Sequence, residues 1–410
     1  MVGGGVIGLC SALYCADRGM DVTLVERNSE RRDGCSYGNT GMVVPSHFVP
    51  LAAPGMVALA LKWMWNPASP FYIKPRMSGE LAAWGLRFWR AANAAHVRRA
   101  APLLCRLHME SRALYEALAA RANDFHFEKR GVLVLCRTAH ALEEEAALVE
   151  PARALGLSAE VLDAQALAAL EPGVRIDALG AVRIAEDCNV EPRSLMDALQ
   201  ARCAAAGVDF RWNTGASGWR TEGNRIRALV TPAGELEADE FVLTAGSWSP
   251  ALARGVGLSL PMQPGKGYSL TLERPRRSPR CCAVLSEARV SVSPMNGALR
   301  FGGTMELAGL DESINPVRVR GIVAAVQRYY PEFGPQDFEG VQPWRGLRPC
   351  TPDGLPYVGR SAAAPNLVVA TGHAMMGVSL GPVTGRMVAG ILDGEKPGTD
   401  HGLLSPDRYH

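Results

Sequence analysis

Near its start the chain reads Gly3-Gly4-Gly5-Val6-Ile7-Gly8, three glycines in G-x-G-x-x-G spacing, and eighteen residues after Gly8 it places Glu26. These residue types suit the binding of a dinucleotide. Gly3 permits a tight turn, Gly5 lets bare backbone approach a pyrophosphate, and Gly8 lets a helix pack closely on a strand. A helix opening at Val6 turns free N–H groups and the positive end of its dipole toward the phosphates. Glu26 can accept hydrogen bonds from ribose hydroxyls, an arrangement that a 2′-phosphate opposes. Glycines are common, and the alternative is a Gly-rich loop of some other α/β unit.

The flanking elements favour the dinucleotide. "VIGLCSALYCADRGM" carries small and apolar residues at helical spacing and places Gly19 where a C-terminal cap belongs. "DVTLVER" alternates like a strand and ends at Glu26. Ahead of Gly3, where an apolar strand of about five residues is expected, stand only Met1 and Val2. The expectation is a start set too late, leaving the first strand truncated; the alternative is a genuine stub.

A length of 410 residues points to two intimately packed domains, and 48% hydrophobic residues supply a large core. A formal net charge of +2 gives no strong pull toward nucleic acid. Ten cysteines lie without CxxC pairs or metal-ligand spacing, so a reducing cytoplasm is expected, with neither disulfides nor a metal. No basic region precedes an apolar run at the N-terminus. "LAAPGMVALALKWMW" (51–65) is too short to span a bilayer and carries Lys62; it reads as core helix or channel wall, with a membrane-surface role as the alternative. The basic run "ERPRRSPRCC" (273–282) reads as a solvated loop broken by Pro275 and Pro279, or as a docking surface.

Further along lie "GCSYGNTGMVVPS", "EFVLTAGSWSPAL", "GGTME", "WRGLRPCTPDGLPYVGR" and "LVVATGHAMMGVSLGPVTGRMVAGIL". The last reads as a strand, a Gly372-His373 turn and a helix from about Gly377. In this order the motifs resemble the D-amino-acid oxidase-like (DAO) family of FAD-dependent oxidoreductases over nearly the whole chain. The stretch "GCSYGNTGMVVPSHFVPLAAPG" is most similar to dehydrogenases of D-proline and cis-4-hydroxy-D-proline.

The resemblance implies an α/β fold: a FAD-binding Rossmann-like domain (residues 1–50, 186–262 and 344–410) interleaved with an α+β substrate domain (51–185 and 263–343) holding a large antiparallel sheet. It implies non-covalent FAD held by Gly3, Gly5, Val6, Gly8, Glu26 and Arg27. A wrapping loop adds Cys35, Ser36, Asn39, Thr40, Gly41 and Met42. Ala216, Ala245, Gly246 and Trp248 follow, and then Gly372, His373, Met376, Gly377 and Val378 before the last helix. Cys350 stands too close to Asp353 to match the cysteine that links FAD in the sarcosine-oxidase branch.

Arg348 of "GLRP" matches the family arginine that pairs with the substrate carboxylate, Arg345 being its nearest rival. Its planar fork suits a carboxylate, which it grips through two parallel hydrogen bonds. Met305 matches a position lining the substrate cavity, although a core methionine reads the same way. Glu306 either meets a substrate ammonium or is structural. His373 either tunes the flavin or caps its turn, and Tyr268 either reaches the site or packs between sheets. His47 and Tyr37 are weaker candidates. Val292 and Ser293 depart from the Tyr or His that several family oxidases carry over the substrate.

The implied reaction is dehydrogenation of a small D-amino or cyclic imino acid, with cis-4-hydroxy-D-proline or D-proline as the expected substrate. Electrons pass to a quinone or another acceptor. The alternatives are an amine oxidase of the glycine and sarcosine type that uses O2, and a flavoprotein subunit of a larger electron-transfer complex. A remnant unable to hold FAD is a further alternative. The expected location is the cytoplasm, with peripheral contact at the inner face of the plasma membrane as an option.

Overall fold

A computed structural model of the chain describes residues 1–64, 69–395 and 401–409; Trp65, the end of the apolar stretch noted above, lies outside them. One sheet is parallel apart from its last strand. Asp209–Arg211 pairs with Thr23–Val25, Phe241–Leu243 pairs with Leu367–Thr371, and Tyr357–Arg360 closes the far edge antiparallel. The gap between Thr23–Val25 and Phe241–Leu243 is bridged by Val2, in parallel with both. Val2 donates to Val242, Gly3 donates to Val25, and Val25 and Thr244 donate back to Met1 and Val2 (2.8–2.9 Å). In place of a five-residue strand, Met1–Gly3 thus ties the two halves of the sheet together.

The first helix, Val6–Ala16, has only Tyr14 and Ala16 outside the buried class, as its small, uniformly apolar composition requires. It packs on the sheet at one side and on the last long helix, Gly377–Leu392, at the other. Gly377, Gly381 and Gly385 of that helix, four residues apart, form the contact. A Cβ on Gly385 would stand 2.5 Å from the Cys10 backbone, so the two helices meet almost main chain to main chain. The helix Ala94–Arg121 covers the pair, and its Tyr115 hydroxyl donates to Val378 O at 2.6 Å. Although this helix belongs in sequence to the substrate-domain segment, it packs on the nucleotide side.

The second sheet has nine strands. Its main path runs from Trp344–Cys350 through Gln263–Leu272, Ala298–Leu307, Val290–Met295, Cys282–Leu285, Val132–Cys136 and Gly180–Ile184 to Ala159–Asp163, and Phe71–Ile73 pairs with the end of Ala298–Leu307. It is antiparallel except at two pairings, Cys282–Leu285 with Val132–Cys136 and Ala298–Leu307 with Phe71–Ile73. Trp344–Cys350 was expected in the FAD-binding piece; its full-length register with Gln263–Leu272 makes it an edge strand of this sheet. The basic run lies in the exposed connection after Leu272, where Arg277 and Arg276 reach Glu332 and Asp337. Val292 and Ser293 are fully buried in the sheet.

The end of the chain is locked by a nearly buried ion pair. Arg408 spans Asp353 with two bonds (2.8 and 3.0 Å) and lies over the Tyr357 ring at 3.9 Å. Burial pushes the Asp353 carboxyl up, but the Arg408 charge and its hydrogen bonds outweigh it and leave the group below its usual range. A depressed carboxyl stabilises the fold above its unfolded pKa, and the contribution fades as pH falls through the folded value. Arg408→Ala should therefore cost about 3–5 kcal/mol at pH 7, since it strands a buried carboxylate. In urea titrations the difference from wild type should shrink as pH is lowered below about 4.

Candidate active site

The two sheets flank a cavity of about 460 Å³. Its lining runs from Glu26, Arg27 and Ala216 past the first glycines to His373, Ala374, Gly377 and Val378. Gly3 is in a left-handed conformation at φ +110, and a Cβ there would stand 2.8 Å from Thr244 O. Thr244 in turn donates from its hydroxyl to Val2 O and Gly3 O (2.9 Å each). Gly8 does not line the cavity; a Cβ on it would lie 1.9 Å from Gly3 O, so its role is the close crossing of helix over strand. Gly5 opens the helix without a side-chain cap of its own, and Ser36 Oγ accepts from Val6 N at 3.0 Å.

Glu26 is buried, accepting from Gly4 N (2.7 Å) and Asn28 N (2.9 Å), which fixes its carboxylate at the cavity wall. Arg27 stacks over Trp248 at 3.6 Å, and both line the cavity with Ala216, Ala245 and Gly246. Cys35, Ser36 and Asn39 line it as well, but Thr40, Gly41 and Met42 lie behind the wall. The Thr40 methyl packs against Gly302, the left-handed Gly41 abuts Val190 O, and Met42 pairs with Asn189. Gly372 and Met376 also stand off the cavity. Gly372 turns beside Thr351, and Met376 packs with Leu104 and Leu355 in the core. Tyr37 sits beside Arg32, and His47 contacts Ser46 Oγ; neither lines the cavity.

His373 is buried, and its Nε2 lies 3.0 Å from Thr384 Oγ1. Burial lowers its pKa to about 3, so the ring stays neutral. Ser379, two residues into the last helix, accepts from Val44 N and meets His108 Nδ1 at 2.7 Å, which anchors that helix start against the wrapping loop.

Arg348 stands on the face of the large sheet that also carries Met305 and Cys350. It is half-buried and does not line the main cavity itself, yet its charge acts on the Cys35 thiol, which does. Its Nη1 donates to Thr304 O at 2.6 Å, and among the described residues no carboxylate pairs with it. Arg345, the rival, is held by Asp33 (2.7 Å) and Glu312 (3.4 Å) at the rim. Met305 packs with Cys350, Phe71, Phe88 and Ala374 in an apolar wall next to Arg348. Burial pushes the Cys350 thiol up to about 12, which keeps it protonated.

Glu306 and Tyr268 face the other way. The Tyr268 hydroxyl donates to Glu306 at 2.9 Å, and the fully buried Lys266 lies 3.7 Å from the same carboxylate. Strand alternation turns them from Arg348 into this buried, hydrogen-bonded cluster. Reading by motif missed Thr214, Gly215 and Thr244 in the cavity wall, as well as the rim pair Asp33 and Glu312. It also missed the paired glycines of "PGKGYS", whose signal is strand alternation.

Residues 1–391 match the DAO family model, FAD dependent oxidoreductase. The chain belongs to this family. It is an FAD-dependent oxidoreductase, and its site fits the cofactor. A turn at Gly3 and a helix crossing at Gly8 that leave no room for a Cβ, a fixed carboxylate at Glu26 and two helix N-termini turned to one cavity are what an anionic dinucleotide needs. The chain is 34% identical to a D-amino acid dehydrogenase of Methylobacterium nodulans and 32% identical to one of Bradyrhizobium diazoefficiens, over 100% of this chain and 98% of each relative. In fold the oxidoreductase is similar to glycine oxidase from Geobacillus kaustophilus (TM-score 0.79, 24% identity, 100% and 98% of the two chains covered). It is also similar to L-proline dehydrogenase from P. horikoshii (TM-score 0.77, 16% identity, 100% and 96%).

Gly8→Ala tests the cradle. The added methyl must move the Gly3 turn, at an overpacking cost of about 1–3 kcal/mol. The purified variant should retain roughly tenfold less flavin, or lower still, read from the ratio of visible to 280 nm absorbance.

Proposed function

We propose that the protein dehydrogenates a small D-amino or cyclic imino acid, with D-proline or cis-4-hydroxy-D-proline as the substrate. The observation that carries this reading is Arg348: a guanidinium without a carboxylate partner among the described residues, beside an apolar wall. In this reading Arg348 grips the substrate carboxylate through parallel hydrogen bonds. Met305, Phe71 and Phe88 enclose a small apolar side chain or ring. Glu26 receives the ribose hydroxyls, the start of the first helix faces the pyrophosphate, and Arg27 with Trp248 flanks the adenosine end. The turn from His373 to Val378 supports the ring system and excludes water from it. Bound FAD would supply, at flavin N5, the acceptor for the hydride that leaves the substrate α-carbon. The high pKa of the Cys350 thiol favours non-covalent attachment.

The test is an anaerobic visible spectrum of the holoenzyme with D-alanine, D-proline or cis-4-hydroxy-D-proline. Flavin should bleach with the imino acids, and a spectrum unchanged by all three would sink the reading. In Arg348→Met, kcat/KM should fall roughly 10²-fold or more, because a bidentate charged pair is lost. A loss confined to flavin content would instead make Arg348 structural.

The acceptor we propose is a quinone, reached at an anionic membrane surface. Residues 56–99 hold seven basic residues and a single acidic one. Among them Leu61, Leu86 and Trp89 are 55%, 47% and 62% exposed. Apolar side chains set among cations suit the interface of acidic lipids. The long apolar segment Ala374–Leu392 is a different matter, being 67% buried in the fold. Holoenzyme should co-sediment with vesicles of anionic lipid but not with neutral ones, and Trp89→Asp with Leu86→Asp should abolish it. Stoichiometric peroxide in air-saturated turnover would favour the oxidase instead.

A further inference from the structure

Arg348 can lie where it does only because the strand beneath it is bare. Gln263–Leu272 places glycine at 265 and 267, on the face shared by Arg348, Met305 and Cys350, while Lys266 and Tyr268 point to the other face. A Cβ on Gly267 would stand 2.2 Å from each of Cζ, Nη1 and Nη2 of Arg348, the three nearest atoms. Equal distances of this size put the Cβ position off the guanidinium plane, so a face of the group is turned to Gly267.

Across from Gly267 the neighbouring strand carries an extra residue. Lys266 pairs with Glu306 and Tyr268 with Gly303, so Thr304 and Met305 together face one partner position, as in a β-bulge. Thr304 has φ +64, the left-handed conformation that glycine takes at the head of one common bulge type. No other β-branched residue has positive φ among the described residues. The distortion aims the Thr304 carbonyl at Arg348 Nη1, 2.6 Å away.

We infer that Gly267 and Thr304 form a seat that positions Arg348, the bare glycine fixing the plane of the guanidinium and the bulge carbonyl fixing its rotation in that plane. The opposite edge of the fork is left for a carboxylate, which binds in the same plane. Neither residue touches substrate; both act through Arg348. The inference rests on the reading of Arg348 given above.

The test uses FAD-loaded full-length protein, with propionate as a non-reacting carboxylate and propionamide as its uncharged control, each titrated by flavin difference absorbance. Gly267→Ala should weaken propionate about tenfold or more, leave propionamide within about twofold, and keep flavin content and melting temperature near wild type. In an Arg348→Lys background the same change should have no effect on propionate, since a lysine ammonium is a point charge that needs no flat seat. Propionate binding that survives Gly267→Ala overturns the seat. So does a Gly267→Ala variant that fails to fold, because the methyl would then be meeting more than a movable guanidinium. If Arg348→Met binds propionate as wild type does, the carboxylate reading itself falls, whatever Gly267→Ala shows.

Discussion

The first helix touches main chain on two sides, and the rest of the molecule is arranged around that crowding. On the sheet side Gly8 rides on the Gly3 carbonyl, which Thr244 holds from below. On the other side Gly381 and Gly385 of the last helix meet Val6 and Cys10. A larger side chain at any of these contacts would push the first helix away from one neighbour or the other. Their absence lets two helices begin at one cavity, each presenting unpaired N–H groups and a positive dipole end. The long helix Ala94–Arg121 then secures the arrangement through Tyr115 and His108, which bind the start of the last helix at Val378 and Ser379.

The large sheet performs a different separation, by strand alternation and one bulge. One face of Gln263–Leu272 is stripped to glycine so that Arg348 and Met305 can lie against backbone. The other face buries Lys266 and Tyr268 with Glu306 in a charged, hydrogen-bonded cluster. Unlike charges therefore sit a strand's thickness from Arg348 without pairing with it. Met305 and Glu306, adjacent in sequence, belong to opposite sides of this division. In the proposed reaction, a carboxylate on the Arg348 face would neutralise the guanidinium before a substrate carboxylate could reach it.

Much of this was legible in the residues. The spacing of Gly3, Gly5, Gly8 and Glu26 carries its own chemistry, and Gly19 ends the first helix at φ +79 as a cap should. The strand–turn–helix at Leu367–Leu392 was also readable from apolar patterning. What escaped depends on contacts far apart in sequence. Thr40, Gly41 and Met42 sit in a motif beside true lining residues, but the Thr40 methyl packs on Gly302, Gly41 abuts the Val190 carbonyl and Met42 pairs through its backbone with Asn189. Tyr268 and Glu306 looked available because a bulge, and with it the facing of each side chain, does not show in composition. The pairing of Trp344–Cys350 in the large sheet was hidden for a similar reason: its partner strand lies some eighty residues upstream.

The charges around the cavity follow one principle. Arg348 and Arg27 contribute guanidinium groups, and the two helix starts add the positive ends of their dipoles. The groups that ordinarily would titrate are held neutral by burial: His373 near 3, Cys350 near 12, and Cys35 also raised. A neutral imidazole at the start of the last helix leaves the helix dipole unopposed and adds no proton that must be moved as charge shifts nearby. Burial thus leaves His373, Cys350 and Cys35 without charge beside the guanidinium groups. In the proposed reaction the substrate amine binds as the neutral base, since its lone pair must form the imine as the α-hydrogen leaves as hydride. That division suits an oxidoreductase in which the cofactor supplies the redox chemistry and the polypeptide supplies position and electrostatics.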